Sequence, residues 1–268
     1  MVGVLNCPRE PILRILERLN LRSSAESVSD AELRPSSPTM RSITWSPDRR
    51  LSRRRVLLLS LRACDSISFT LTVPDGWETG PRDPYGGPIA AIWPAGDGFR
   101  HPDGMALGFV DVSSIESDPC DWFGSANDIA VGPSAADLAT ALSDQAAELS
   151  GEAAYTVSAP TDVSLGGYSG KYLEVTMPTE VFAVSDPSAT TSDPALAPGC
   201  GGDQATYRIW DGRRGFNIYI QGPANRWQMW ILDVERERVV VLAHDFPATS
   251  AEDRAELQAI VDSIRIER

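Results

Sequence analysis

Apolar residues fall on every second position from Ile67 to Val73, with Ser68, Thr70 and Thr72 between them. Period two is the mark of a strand with one buried face. Pro74-Asp-Gly-Trp77 follows as a turn, since Pro and Gly supply the fixed and the permissive backbone angles a turn needs. Residues 89–93 and 105–112 read as further strands, divided by a turn region at 96–104. The pattern then changes. Pro133-Ser-Ala-Ala-Asp137 opens a helix, with Ser134 and Asp137 in capping-box positions and Leu138, Ala141, Leu142 and Leu149 as the apolar stripe. Asp162-Val-Ser-Leu-Gly-Gly-Tyr-Ser-Gly-Lys-Tyr-Leu-Glu-Val-Thr returns to a strand, a Gly-rich turn and a longer strand. Residues 183–203, rich in Ser, Thr, Pro and Asp, read as a long surface loop, and 206–210 and 216–221 as strands.

The last forty or so residues carry the clearest pattern. In Trp227-Gln-Met-Trp-Ile-Leu-Asp-Val, residues Trp227, Met229 and Ile231 point one way and Gln228, Trp230 and Leu232 the other. Arg238-Val-Val-Val-Leu-Ala243 is almost wholly apolar and β-branched, as a strand buried on both faces is. The two predict a hairpin across Glu235, Arg236 and Glu237, although no Gly or Asn provides the usual turn geometry. Thr249-Ser-Ala-Glu252 and Ser250-Ala-Glu-Asp253 both fit a capping box, and Leu257, Ile260, Val261 and Ile264 form one helical stripe behind them. Strands, a helix, more strands and a closing helix predict an α+β fold, an antiparallel sheet with helices packed on it, in a single domain over residues 66–268.

Residues 1–65 differ. Ile12, Leu13, Ile15, Leu16 and Leu19 predict a short amphipathic helix, and the remaining Ser/Arg/Pro-rich sequence an irregular or disordered tail. Arg53-Arg-Arg-Val-Leu-Leu-Leu-Ser-Leu-Arg-Ala-Cys64 resembles a degenerate secretion signal or anchor ending in a lipoprotein-type cysteine. Its apolar run, 56–61, has six residues, short of the roughly 7–15 of a signal core, so an ordinary helix or strand competes with that reading.

Composition narrows the function. The net charge of −13 divides unevenly: 12 Lys/Arg against 6 Asp/Glu in residues 1–64 (net +6), and 12 against 31 in residues 65–268 (net −19). The acidic part is a poor nucleic-acid binder, so no nucleic-acid partner is expected.

Reactive machinery is hard to find. Neither His101 nor His244 has a partner at metal-ligand spacing, and both read as rim or turn residues. Gly166-Gly-Tyr-Ser-Gly-Lys171 fails the phosphate-loop spacing, and Gly167-Tyr-Ser-Gly-Lys fails the nucleophile-elbow pattern. Asp118, Asp121 and Asp128 match no calcium loop and read as solvated surface. No catalytic, cofactor-binding or metal-ligating residue is assigned, and no cofactor is expected.

Two features remain. Of four cysteines, Cys120 and Cys200 are in predicted loops of the 66–268 segment and are expected to form one disulfide, with two unpaired thiols as the alternative. That bridge would close a loop of about 80 residues, worth about 4.5 kcal/mol in the chain-entropy picture, and implies an oxidising compartment. Trp210, Trp227 and Trp230, with Tyr207 and Tyr219 nearby, form a candidate binding surface, because strand alternation turns some of them away from one face. Core packing is the alternative.

Ser68-Phe-Thr-Leu-Thr-Val-Pro-Asp-Gly-Trp77 and the closing Ile-Val-Asp-Ser-Ile-Arg-Ile266 resemble the two ends of PsbP-like domains, which implies an α/β/α sandwich around an antiparallel sheet. Asp118-Pro-Cys-Asp-Trp122, Val131-Gly-Pro-Ser and Trp230-Ile-Leu-Asp-Val are similar to stretches of uncharacterised actinobacterial extracytoplasmic proteins, in which an anchor precedes the domain. The resemblance implies a compartment and a fold, and no activity. The expectation is a non-enzymatic extracytoplasmic binding or accessory domain. Its partner would be a protein or a cell-envelope component, with membrane association only through the N-terminal segment. A hydrolase with an unrecognised carboxylate site and a structural or stress-related secreted domain are the alternatives. With residues 1–65 taken as they stand, the location would be cytoplasmic.

Overall fold

A computed structural model describes residues 15–18, 54–62, 66–80, 90–96, 98, 102–110, 112–119, 128–149, 154–179, 209–211 and 223–267. In chain order the strands before the first helix are β1 (Ile15–Arg18), β2 (Arg54–Arg62), β3 (Ser66–Pro74), β4 (Trp77–Gly80), β5 (Ala90–Pro94), β6 (Met105–Val110), β7 (Ser114–Ile115) and β8 (Ile129–Ala130). Helix α1 (Ala135–Glu148) is followed by β9 (Thr156–Val157), β10 (Thr161–Leu165), β11 (Tyr168–Thr176), β12 (Trp210–Asp211), β13 (Arg226–Val234) and β14 (Glu237–Asp245). Helix α2 (Ala251–Asp262) and β15 (Arg265–Glu267) complete the series. The fold is α+β, and every pairing between these strands is antiparallel.

The main sheet has eight strands in the order β10-β11-β13-β14-β6-β5-β4, with β9 paired beside β11. The predicted hairpin β13–β14 lies at its centre. Its turn solves the missing glycine by placing Glu235 at φ 59°, in the left-handed region. The β10–β11 turn has the residues its shape requires: Gly166 and Gly167, between Leu165 and Tyr168, both take positive φ, the combination a type I′ turn needs.

Alternation along β13 and β14 divides two cores. Trp230, Leu232, Val234, Val239, Val241 and Ala243 face a first core, shared with Phe69 and Leu71 of β3, Leu107 and Phe109 of β6, and Leu257, Ile260, Val261 and Ile264 around α2. Trp227, Met229, Ile231, Val240 and Leu242 face a second, shared with Leu138 and Leu142 of α1, Leu173 and Val175 of β11, and Trp210. The sheet is thus covered on both faces, α2 on one and α1 on the other, and burial of this apolar surface holds the layers together.

The helix starts are anchored from the sheet. At α1 the Ser134 hydroxyl accepts the Asp137 N–H at 3.1 Å, and Asp137 accepts the Ser134 N–H at 2.9 Å. Asp233 of β13 accepts the Ala135 N–H at 2.7 Å, adding a carboxylate where the helix dipole favours one. Arg238 of β14 donates to the carbonyls of Val112, Gly132 and Ser134. At α2 the two overlapping capping patterns divide their work. Ser250 caps, accepting the Asp253 N–H at 3.0 Å. Thr249 instead closes the preceding turn, accepting the Phe246 N–H and donating to the Gly104 carbonyl, both at 2.9 Å.

Two expectations change. Residues 15–18, expected in a helix, form β1, because β2 offers a ladder through Ile15↔Leu59 to Arg18↔Val56. Residues 54–62, within the expected tail, form β2, paired with β3 from Arg54↔Pro74 to Arg62↔Ser66. The rest of 1–65, the loop at 183–203 and the predicted strand at 216–221 lie outside the described residues.

Candidate functional site

The tryptophan surface does not form. Trp210, Trp227 and Trp230 are only 1 %, 0 % and 6 % exposed. Trp227 and Trp210 meet edge to face at 4.9 Å in the core beneath α1, and Trp230 turns to the opposite core. The physical reason is that both faces of β13 are covered, so alternation sends its side chains into one core or the other. The Trp227 indole N–H is satisfied by Asn225 Oδ1 at 2.5 Å. Tyr207, Tyr219, Cys120 and Cys200 lie outside the described residues, as do His101 and Asp121. His244, expected at a rim, is buried in β14 with its ring 5.7 Å from that of Phe246. Asp118 and Asp128 are exposed, as their solvated reading expects.

A different constellation gathers beside α2. The hairpin register pairs Arg226, at the start of β13, with Asp245, at the end of β14. The Asp245 side chain is 2 % exposed and is held from two sides. One carboxylate oxygen accepts from Arg226 Nη2 at 2.7 Å and Nε at 3.0 Å, and the other accepts from Arg254 Nε of α2 at 2.8 Å. Arg254 also donates to the carbonyls of Phe246 and Pro247, fixing the corner between β14 and α2.

On the other side, Arg226 Nη1 approaches Glu174 Oε2 of β11 at 3.9 Å, and Glu174 Oε1 accepts from the Tyr172 hydroxyl at 2.6 Å. The Tyr172 ring rests on Trp230 at 5.2 Å, tilted by 52°. Tyr172, Glu174, Arg226, Asp245 and Arg254 therefore form a row from the middle of β11 to the first turn of α2, hydrogen-bonded except between Glu174 and Arg226, which meet only as a longer ion pair. Tyr168, two repeats further along the same face of β11 beyond Gly170, and Val163 of β10 pack partly buried at its end.

Charge is balanced along the row, two arginines against two carboxylates. Burial first, then the bond to Glu174 and its charge, push the Tyr172 phenol far above its ordinary range. For Arg226, burial favours losing the proton, but the bond to Asp245 and the charges of Asp245 and Glu174 outweigh it, and the guanidinium is held more firmly charged. Such a row can present a fixed pattern of hydrogen-bonding groups beside aromatic surface. Its carboxylates already face guanidinium groups. Among the described residues no three His, Cys, Asp or Glu side chains are grouped to hold a metal ion.

Sequence reading missed this row because its members are far apart in sequence. One signal was available: a two-residue turn at 235–236 fixes the hairpin register and so sets Arg226 opposite Asp245. No protein-family profile matches the chain, and no curated protein matches it.

Proposed function

We propose that the chain is a non-enzymatic binding or accessory domain working outside the cytoplasm, with the β10–β11–β13 flank beside α2 as its recognition surface. The observation that carries this reading is the Tyr172–Glu174–Arg226 segment of the row, with Tyr168 further along the same strand face. These residues are half-buried on the main sheet, whereas α2 packs on β3, β6 and β14. Rigid tyrosines with fixed hydrogen-bonding neighbours suit recognition at low entropic cost. The hydrolase reading has less support, since Glu174 and Asp245 are both engaged by Arg226. Helices on both faces of an antiparallel sheet are what a PsbP-like α/β/α sandwich would have, and we infer that architecture together with an extracytoplasmic location.

Two experiments test the reading. Cosedimentation of the purified chain with a cell-envelope fraction is expected to be saturable, and Tyr168→Ser and Glu174→Gln are expected to weaken it. No saturable binding by the native chain, or equal binding by both variants, would overturn the recognition surface. Mass spectrometry of unreduced protein is expected to find Cys120 joined to Cys200; free thiols at both would remove the support for an oxidising compartment.

A further inference from the structure

The row has one open step. Arg226 Nη1 and Glu174 Oε2 stand 3.9 Å apart, too far for a hydrogen bond, and their side chains are 34 % and 35 % exposed. The rest of each group is engaged. Glu174 Oε1 accepts from the Tyr172 hydroxyl, and Arg226 Nη2 and Nε donate to Asp245. A held donor and a held acceptor are thus set side by side where water reaches them. Gln228, opposite Glu174 in the β11–β13 register and partly exposed, adds an amide that can donate and accept.

Few ligand groups suit that pair. A phosphate or carboxylate only accepts, so it would satisfy Arg226 and be repelled by Glu174; an ammonium only donates, with the reverse fault. A peptide group does both, but its trans geometry points N–H and C=O in opposite directions, away from two neighbours on one side. A hydroxyl donates and accepts from a single oxygen, and two adjacent hydroxyls divide the tasks between them. Water meets the same need, so a ligand hydroxyl can displace it and repeat its bonds.

The aromatic surroundings point the same way. The Tyr172 ring is held by its bond to Glu174 and by Trp230, 5.2 Å away. Tyr168 lies four positions along the same strand, about 13 Å at the usual rise. Between them Gly170 cannot carry a side chain, because a Cβ there would run into the Ile231 carbonyl oxygen. No side chain of β11 fills the interval on that face, and Gly170 and Val163 beside it are partly exposed. Sugar rings have apolar C–H faces that suit tyrosine rings and hydroxyls at their rims that suit Glu174, Arg226 and Gln228.

We propose that this flank binds an uncharged carbohydrate chain, with adjacent hydroxyls set between Glu174 and Arg226 and sugar rings against Tyr172 and Tyr168. This ligand class rests on the β10–β11–β13 flank being the recognition surface. Cosedimentation of the full chain with a treated cell-envelope fraction tests it. Periodate cleaves the bond between carbons that bear adjacent hydroxyls. It is expected to weaken binding at least about tenfold, the scale of one lost charge-assisted hydrogen bond. Binding that survives periodate would overturn the ligand class and leave the surface standing, whereas no saturable binding to the untreated fraction would remove the surface itself. Protease treatment separates two sources of the same chemistry: periodate-sensitive binding that protease abolishes means carbohydrate carried on protein, and binding that it spares means a polysaccharide. In Glu174→Gln, Tyr172 still holds the side-chain oxygen, so an N–H replaces the acceptor beside Arg226. That variant is expected to lose at least about fivefold of the periodate-sensitive binding; undiminished periodate-sensitive binding by it would overturn the site.

Discussion

Asp245 is a buried carboxylate held by two arginines, each about one-third exposed. Removing the acid leaves two cations that water reaches only in part, whereas removing one arginine leaves Asp245 with the other. Asp245→Ala is therefore expected to cost about 2–3 kcal/mol, and Arg226→Ala or Arg254→Ala about 1 kcal/mol each. Urea denaturation measures the order, and a cost for Asp245→Ala no larger than for either arginine would contradict it. Tyr172 gives a pH signature. Its pKa is raised above the roughly 10 of an unfolded tyrosine, so the folded state holds the proton more tightly. The stability it contributes is whole below about pH 10 and falls away as pH rises toward the folded value. Between pH 8 and 11, the urea midpoint of Tyr172→Phe is expected to decline less than that of the native protein; parallel declines would rule out this role.

Helices and hairpins here depend on side chains lent by neighbours. The N-terminus of α1 is capped by its own Ser134 and by Asp233 from β13, while Arg238 of β14 donates to the Ser134 carbonyl just before the helix. Ser134→Ala is expected to cost about 1 kcal/mol by urea denaturation, the usual size of a lost cap; no change would mean that Asp233 alone suffices. The backbone and hydroxyl of Ser134 hold the Asp137 carboxyl below its ordinary range. That contribution is present above the usual carboxylate pKa and lost as pH falls through the depressed one. The pattern of the chain located this helix start down to Ser134, and the α2 start to within one residue. It could not choose between Thr249 and Ser250, because only the position of Gly104 draws Thr249 into the turn.

Taken as a whole, the molecule is a shared sheet with a separate core on each face. Leu142 of α1 and Leu257 of α2 are both fully buried, in different cores. Leu142→Ala and Leu257→Ala are each expected to cost about 2–4 kcal/mol. With the sheet between them, the two costs should add in the double variant within about 0.5 kcal/mol. A larger coupling would mean that the two faces respond to each other through the sheet.

Period and capping alone determined the strands of the central hairpin, both helices, the Gly166–Gly167 turn and the α+β class, because each rests on contacts between residues close in sequence. Tertiary structure decided where the aromatic and charged groups went. Trp230 and Trp227 alternate as any strand does, but whether a face is open depends on what the rest of the chain lays over it. Likewise Glu174, Arg226, Asp245 and Arg254 carry no motif. They become one row only because β11, β13, β14 and α2 converge, and long-range pairing of that kind is written in no short stretch of sequence.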